Sequence, residues 1–356
     1  MGNVLSVVVS NDNENVKPEE TIKAIKDAGF KNVFVQWYDK EYETSQLQQV
    51  LLCKEYGLII DFAHLGYQNL NKIWLDEGEY FVDRYKKNIF DCHNLGINMV
   101  VMHPCTKWDP PAPNKFGLKR FKQIVEYAES LGVKVAIENT KITDHIDYLI
   151  ENIKSDNLGI CFDAGHFHCN QKDNWNIEKY KNKVFCVHLH DNNGTADQHL
   201  LPFDGNIDWS KVIQILKDVN YDGPITLELC YSSKYLLNSI NDFYRLGLER
   251  GEILKQMQNN EKIEIDDLNM SKISGGASRR DRTIIIELKL PESDQEKNIS
   301  VYVDGELDSS KSKVIDPSII YTQFRFTGSG VKSVKFKLNG QSYKEYTLDF
   351  ESGTYY

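Results

Sequence analysis

The sequence predicts a (β/α)8 TIM barrel followed by a small antiparallel β domain. Over residues 4–255, short β-branched runs alternate eight times with longer segments of helical period. The runs are almost continuously apolar, as strands covered on both faces are, which implies a parallel sheet under helices. Eight such units in about 250 residues match the size of a closed barrel. A doubly wound open sheet fits less well, because no glycine-rich phosphate loop follows the first run.

In chain order the first strand is VLSVVV (4–9), followed by the helical pattern PEETIKAIKDAGF (18–30). NVFVQW (32–37) and LIIDFAH (58–64) are the second and third strands. EYFVDRYKKNIFDCHNLG (79–96) places apolar residues at i, i+3, i+4 and i+7, the stripe of a helix lying on a sheet, and MVVMHP (99–104) follows it. KVAIEN (134–139), LGICFDAGH (158–166) and VFCVHLH (184–190) are strands five to seven. The helix WSKVIQILKDVNY (209–221) leads into the eighth, PITLEL (224–229). Gly29, Gly57, Gly96 and Gly132 stand where helices should stop.

The pattern changes after Gln258. A polar stretch with Gly and Ser, NNEKIEIDDLNMSKISGGASRRDR, suits a linker. Beyond it apolar and polar residues alternate at period two, and Asn339-Gly340 is a strong two-residue hairpin turn. The expected organisation is a catalytic barrel over 1–258, a linker over 259–280 and an accessory β domain over 281–356. Strand faces so small make a meagre core, so the tail is expected to pack on the barrel or a partner subunit, supporting a homo-oligomer. A sharper alternative makes it a carbohydrate-binding surface using Tyr321, Phe324 or Tyr343.

Formal charge is −10, and all of that acidity lies in the first 270 residues, since the rest holds 13 Lys and Arg against 12 Asp and Glu. An acidic body is a poor partner for phosphate backbones, so no nucleic acid is expected. No apolar run approaches the ~20 residues of a membrane span, and the opening residues lack the basic stretch of a secretion signal. Seven cysteines without a CxxC pair read as reduced buried thiols. The expected compartment is the cytoplasm.

Active sites of such barrels lie at the C-terminal ends of the strands. Strand three ends in His64, four in His103, five in Glu138, and six in Asp163 with His166 three further on. Strand seven ends in His188, His190 and Asp191, with Asp197 and His199 in its loop, and strand eight ends in Glu228. Taken singly, a strand-end histidine is more often a hydrogen-bonded rim residue than a ligand. A carboxylate inside an apolar strand is less ordinary, because an unpaired buried charge is costly. Six consecutive strands delivering metal-capable groups to one rim point to an active site. His93, His145 and His168 are read as structural. Trp37, Tyr67 and Trp108 stand at or just past strand ends, where an aromatic face stacks on a sugar ring or simply packs the rim.

The motifs "IEN", "FDAGH", "HLHDNNG…DQHLLP…GNIDW" and "LEL" resemble the xylose-isomerase-like barrel superfamily, in particular its sugar phosphate isomerase/epimerase group, with type IV AP endonucleases as relatives. The resemblance covers about residues 4–255 and none of the tail. It implies one divalent metal held by Glu138, Asp163, His188 and Glu228, with Glu138 and Glu228 as the acid/base pair and His166 contacting substrate. His188 is chosen over His190 because the ligand of this family precedes an acidic residue by three positions, here Asp191, expected to support the ligand. His190 is expected to sit ~6–7 Å further along the chain, out of reach of the ion.

Two departures qualify the resemblance. The strand-seven loop carries His199 where ketose epimerases have an arginine. With His64, His103, His166, Asp197 and His199, all nine ligands of the endonuclease three-zinc pattern can be filled. Against that pattern, "DAGH" replaces the usual Thr-Cys pair between the Asp and the His, and the barrel is acidic.

The implied activity is a sugar isomerase or epimerase working through a metal-stabilised enediolate on a small sugar or polyol-like substrate. The alternatives are a metal-dependent lyase or dehydratase on a keto-sugar and a zinc-dependent phosphodiesterase of the AP endonuclease type. Three carboxylates and one imidazole suit Mn²⁺ first, with Mg²⁺, Co²⁺ or Zn²⁺ as alternatives.

Overall fold

The structure is a computed structural model that describes residues 4–10, 16–37, 43–106, 108–231, 239–259, 282–290, 295–315, 321–328, 331–349 and 354–355. The chain divides into two compact units, one of Met1–Ser233 and Tyr244–Ile263, the other of Lys234–Phe243 and Glu264–Tyr356. From residue 260 on, the expected linker lies outside the described residues.

The first unit is the expected barrel. Its strands are β1 (Leu5–Val9), β2 (Asn32–Trp37), β3 (Ile59–Leu65), β4 (Met99–Met102), β5 (Lys134–Glu138), β6 (Leu158–Asp163), β7 (Val184–His188) and β8 (Ile225–Leu227). They pair in parallel in chain order from β1 to β7, and β8 pairs with β1. The seam between β7 and β8 closes on a bridge of Leu189 with Leu227, where Leu189 N donates to Thr226 O at 2.9 Å and Glu228 N to Leu189 O at 3.1 Å.

The helices are α1 (Pro18–Ala28), α2 (Glu43–Glu55), α3 (Tyr80–Asn94), α4 (Lys115–Ser130), α5 (Asp144–Asn152), α6 (Ala164–Cys169), α7 (Trp209–Asp218) and α8 (Ile240–Gln258). In α3 the buried residues Phe81, Val82, Tyr85, Ile89 and Cys92 form the stripe that the sequence shows. All four expected helix-stop glycines take left-handed backbone, with φ of 109°, 69°, 77° and 70°. β4 is shorter than its apolar run suggests, because Pro104 has no N–H to continue the ladder, and His103 lies just past its end.

Side chains alternate across a strand, and that alternation builds the site. Val8, Phe34, Phe62, Val101, Ala136, Cys161 and Cys186 form one buried cluster drawn from seven strands. Two residues further along five of them, on the same inward face, come His64, His103, Glu138, Asp163 and His188. The site therefore rests directly on a close-packed floor. None of the seven cysteines is in a disulfide and six are buried, as expected for structural thiols.

The second unit is antiparallel. β9 (Arg282–Lys289) pairs with β13 (Tyr321–Gly328). A second sheet runs β11 (Glu306–Leu307), β10 (Lys297–Val303), β14 (Val331–Leu338), β15 (Gln341–Asp349) and β16 (Thr354–Tyr355), with β12 (Lys313–Ile315) also on β10. Asn339 and Gly340 make the expected tight turn, with φ of 50° and 83° between the paired residues Leu338 and Gln341. Phe324 is withdrawn as a sugar-stacking surface. It is buried in the core with Ile299, Val301, Phe326, Val334 and Phe336, because both phenylalanines of the FRF run share one face. Tyr343 packs at the margin of that core, and the side chain of Tyr321 lies outside the described residues.

Candidate metal centre

Ligand atoms of Glu138, Asp163, His188 and Glu228 lie within 4.8 Å of one another. Of these, His188 is decisive. Its ring is fully buried and stacked over Phe34 and Phe62, with centroids 5.0 and 5.6 Å away, which fixes its plane. Nδ1 is 3.4 Å from Glu228 Oε2, 3.5 Å from Glu138 Oε1 and 3.8 Å from Asp163 Oδ2. Neither ring nitrogen has a hydrogen-bond partner. An unsatisfied buried polar atom costs about 1–3 kcal/mol, so such a group calls for a function. Three carboxylates converging on an unpartnered imidazole nitrogen are donors that could hold a divalent cation, and their chemistry fits one.

The other expected residues surround Glu138 and Asp197. Glu138 Oε2 accepts from His64 Nε2 at 2.8 Å and lies 3.1 Å from His103 Nε2, while Oε1 is 3.2 Å from His166 Nδ1. His166 Nε2 is 3.0 Å from Asp197 Oδ2, which also lies 3.3 Å from His199 Nε2. Tyr67 stacks on His103 with ring centroids 4.2 Å apart, so it stays at the mouth. Trp108 is 57% exposed and carries the Lys141 ammonium over its ring at 5.1 Å. Trp37 is withdrawn as a sugar platform. It shares its parity with Val33 and Val35, opposite to the inward Phe34, and is buried on the helix side.

Several participants were not foreseen. Asn139 ties β5 to β6: its Oδ1 accepts from Asp163 N at 2.7 Å and its Nδ2 donates to Asp163 O at 2.8 Å. His190 reaches one of the expected ligands, since its Nε2 lies 3.2 Å from Asp163 Oδ2 and its ring stacks on His199 at 4.1 Å. β7 ends at His188, and past that point regular alternation no longer predicts direction. Asp191 does not support His188 either. It accepts from Asn192 N, Phe203 N, Ile207 N and Trp209 Nε1 at 2.8, 2.8, 3.2 and 3.0 Å, gathering the loop that carries Asp197 and His199. The available signal was a run of polar residues continuing an apolar strand. His168 and His145 are structural as read, bonded to Asp173 and Asn206 and to Pro111 O. Asp191→Ala, which leaves four donors without an acceptor, is expected to cost several kcal/mol, at ~1–3 kcal/mol for each donor that water does not reach. Thermal unfolding reads this, and an unchanged midpoint would refute the clamp.

A family model described as xylose isomerase-like TIM barrel matches residues 22–255. The chain belongs to this family. An uncharacterised protein of Methanocaldococcus jannaschii is 31% identical over 186 residues, 47% of this chain and 63% of that protein. An inosose isomerase of Halalkalibacterium halodurans is 27% identical over 131 residues, 33% of this chain and 46% of that enzyme. The chain spans 63%, 43% and 53% of the length of three of its curated relatives. Among solved structures, a D-tagatose 3-epimerase-like protein superposes with a TM-score of 0.57 at 22% identity, covering 72% of this chain and 97% of that one. At that identity the likeness speaks for the fold.

In this xylose isomerase-like barrel, charge is held tightly at the mouth. Burial opposes a charged His188, yet Glu228, Glu138 and Asp163 outweigh it and raise its pKa to about 10. Burial likewise opposes a charged His199, and its hydrogen bond to Asp197 with the charge of Glu228 raises it to about 10. Burial alone would raise the Glu138 pKa, but His103 and His188 hold it well below the usual range. Stability from the two raised histidines is complete below their ordinary value of 6.5 and is lost as pH climbs toward about 10. Protein stripped of metal should therefore melt progressively lower across that window. Added Mn²⁺ should stabilise more as pH rises, because an ion bound at His188 displaces the proton there. Melting curves with and without metal test this, and a flat profile for stripped protein would sink it.

Proposed function

We propose that this chain is a divalent-metal-dependent sugar isomerase or epimerase. The observation that carries the reading is His188, buried without a hydrogen-bond partner and faced by the carboxylates of Glu138, Asp163 and Glu228. Glu138, Asp163, His188 and Glu228 would hold the ion, which supplies Lewis acidity to a carbonyl and its neighbouring hydroxyl. Glu138 ends β5 and Glu228 directly follows β8, so they approach a bound sugar from different sides of the barrel. One takes the proton from the carbon beside the carbonyl, leaving an enediolate, and the other returns it. Glu138 is kept ionised by the imidazoles around it. His166, bonded to Asp197 and close to Glu138, is placed to contact a substrate hydroxyl, and Tyr67 offers a ring face at the rim. The inosose isomerase relatives support this class, and the donor set favours Mn²⁺.

The test is deuterium exchange. Protein loaded with Mn²⁺ and incubated with a panel of free ketoses and inososes in D₂O should place deuterium beside the carbonyl of at least one of them, with one ion per chain. A second reading, a three-zinc phosphodiesterase, is favoured by Asp197 sitting between His166 and His199 while His64 and His103 bond Glu138. Three zinc ions per chain with nicking of abasic DNA, lost in His64→Ala and His199→Ala, would establish that reading and overturn the first.

A further inference from the structure

The two oxygens of Asp163 face different partners. Its Oδ1 accepts from His166 N at 2.6 Å, capping the first turn of α6, so Oδ2 alone faces His188. The nearest nitrogen to Oδ2 is Nε2 of His190, at 3.2 Å, ahead of His166 Nδ1 at 3.6 Å and His188 Nδ1 at 3.8 Å. His190 is fully buried, its Nδ1 has no partner, and its ring lies flat on His199. It reaches this place because residue 165 is glycine. A Cβ there would fall 1.9 Å from His190 Cε1 and 2.4 Å from Nε2, and Asn192 Nδ2 holds the Gly165 carbonyl at 2.9 Å so that the backbone does not retreat. Gly165 has no left-handed φ to explain it, so room for the ring is its purpose.

We propose that His190 is a positioning residue that aims Asp163 Oδ2 at the metal centre through its Nε2–H, with Gly165 as the cradle that admits it. The inference rests on the metal-site reading above. A carboxylate ligand held by an outer hydrogen bond keeps its angle without a search when the ion arrives. Losing such a partner typically weakens metal binding about 10–100-fold. The stack on His199 also links the aim of Asp163 to the loop that carries Asp197.

The experiment titrates the full-length protein with Co²⁺ against a competing chelator and records the visible d–d bands. His190→Phe keeps the ring and the stack but removes the N–H, His190→Gln keeps a donor, and Gly165→Ala displaces the ring. The expected result is ~10–100-fold weaker Co²⁺ binding with altered bands for His190→Phe and Gly165→Ala, and recovery of most of the affinity in His190→Gln. Wild-type affinity and bands in His190→Phe would overturn the proposal, as would His190→Gln binding as weakly as His190→Phe. Should His190→Phe fail to fold, Gly165→Ala decides alone, since unchanged binding there overturns the cradle and the aim together. Wild-type protein that binds no Co²⁺ or other divalent ion would instead remove the metal reading itself, a failure distinct from the others.

Discussion

Replacing Glu138 or Glu228 by glutamine is expected to lower turnover at least ~10³-fold, since each change removes a ligand charge together with a proton carrier. The shape of the side chain is kept, so packing should survive. At Glu138 either orientation of the amide would turn its NH₂ toward imidazole nitrogens, because His64 Nε2 and His103 Nε2 lie 2.8 and 3.1 Å from one carboxylate oxygen and His166 Nδ1 lies 3.2 Å from the other. Deuterium wash-in measured at saturating Mn²⁺ separates lost proton transfer from lost metal. Near-normal exchange in either variant would remove that glutamate from the reaction.

His188→Ala is expected to lose metal altogether, a larger effect than the ~10–100-fold assigned to an outer partner. The imidazole is held in plane by Phe34 and Phe62, and its Nδ1 faces all three carboxylates at 3.4–3.8 Å. His190→Ala should bind more weakly yet fill to the same stoichiometry at high metal. Metal analysis after gel filtration reads both, and equal loss in the two variants would mean that His188 is not the ligand.

The barrel was legible because short, almost continuously apolar runs alternate eight times with segments of period 3.6, and four glycines mark helix ends. The metal-capable residues were legible for a related reason: a carboxylate or imidazole at the end of an apolar strand stands out against its neighbours. Trp37 was misplaced because β2 is apolar on both faces, which hides the parity that turns inward. His190 and Asp191 were misplaced because they follow the last residue of β7, where direction is set by a loop folding around a carboxylate rather than by a pleat. Asn139 lies in the IEN motif, but its cross-strand role depends on the adjacent strand end, which the motif does not contain.

The seam between β7 and β8 has a mechanical meaning. A cylinder of hydrogen-bonded strands opens first where its stitching is thinnest, and here β8 has three residues and meets its neighbour through a single bridge. His188 stands on one lip of that opening and Glu228 on the other. An ion shared between them would act as a rivet across the joint, so metal supply would set how often the cylinder breathes. Amide exchange at Leu189 and Glu228 should slow sharply on loading, while the well-stitched wall from β1 to β3 stays indifferent.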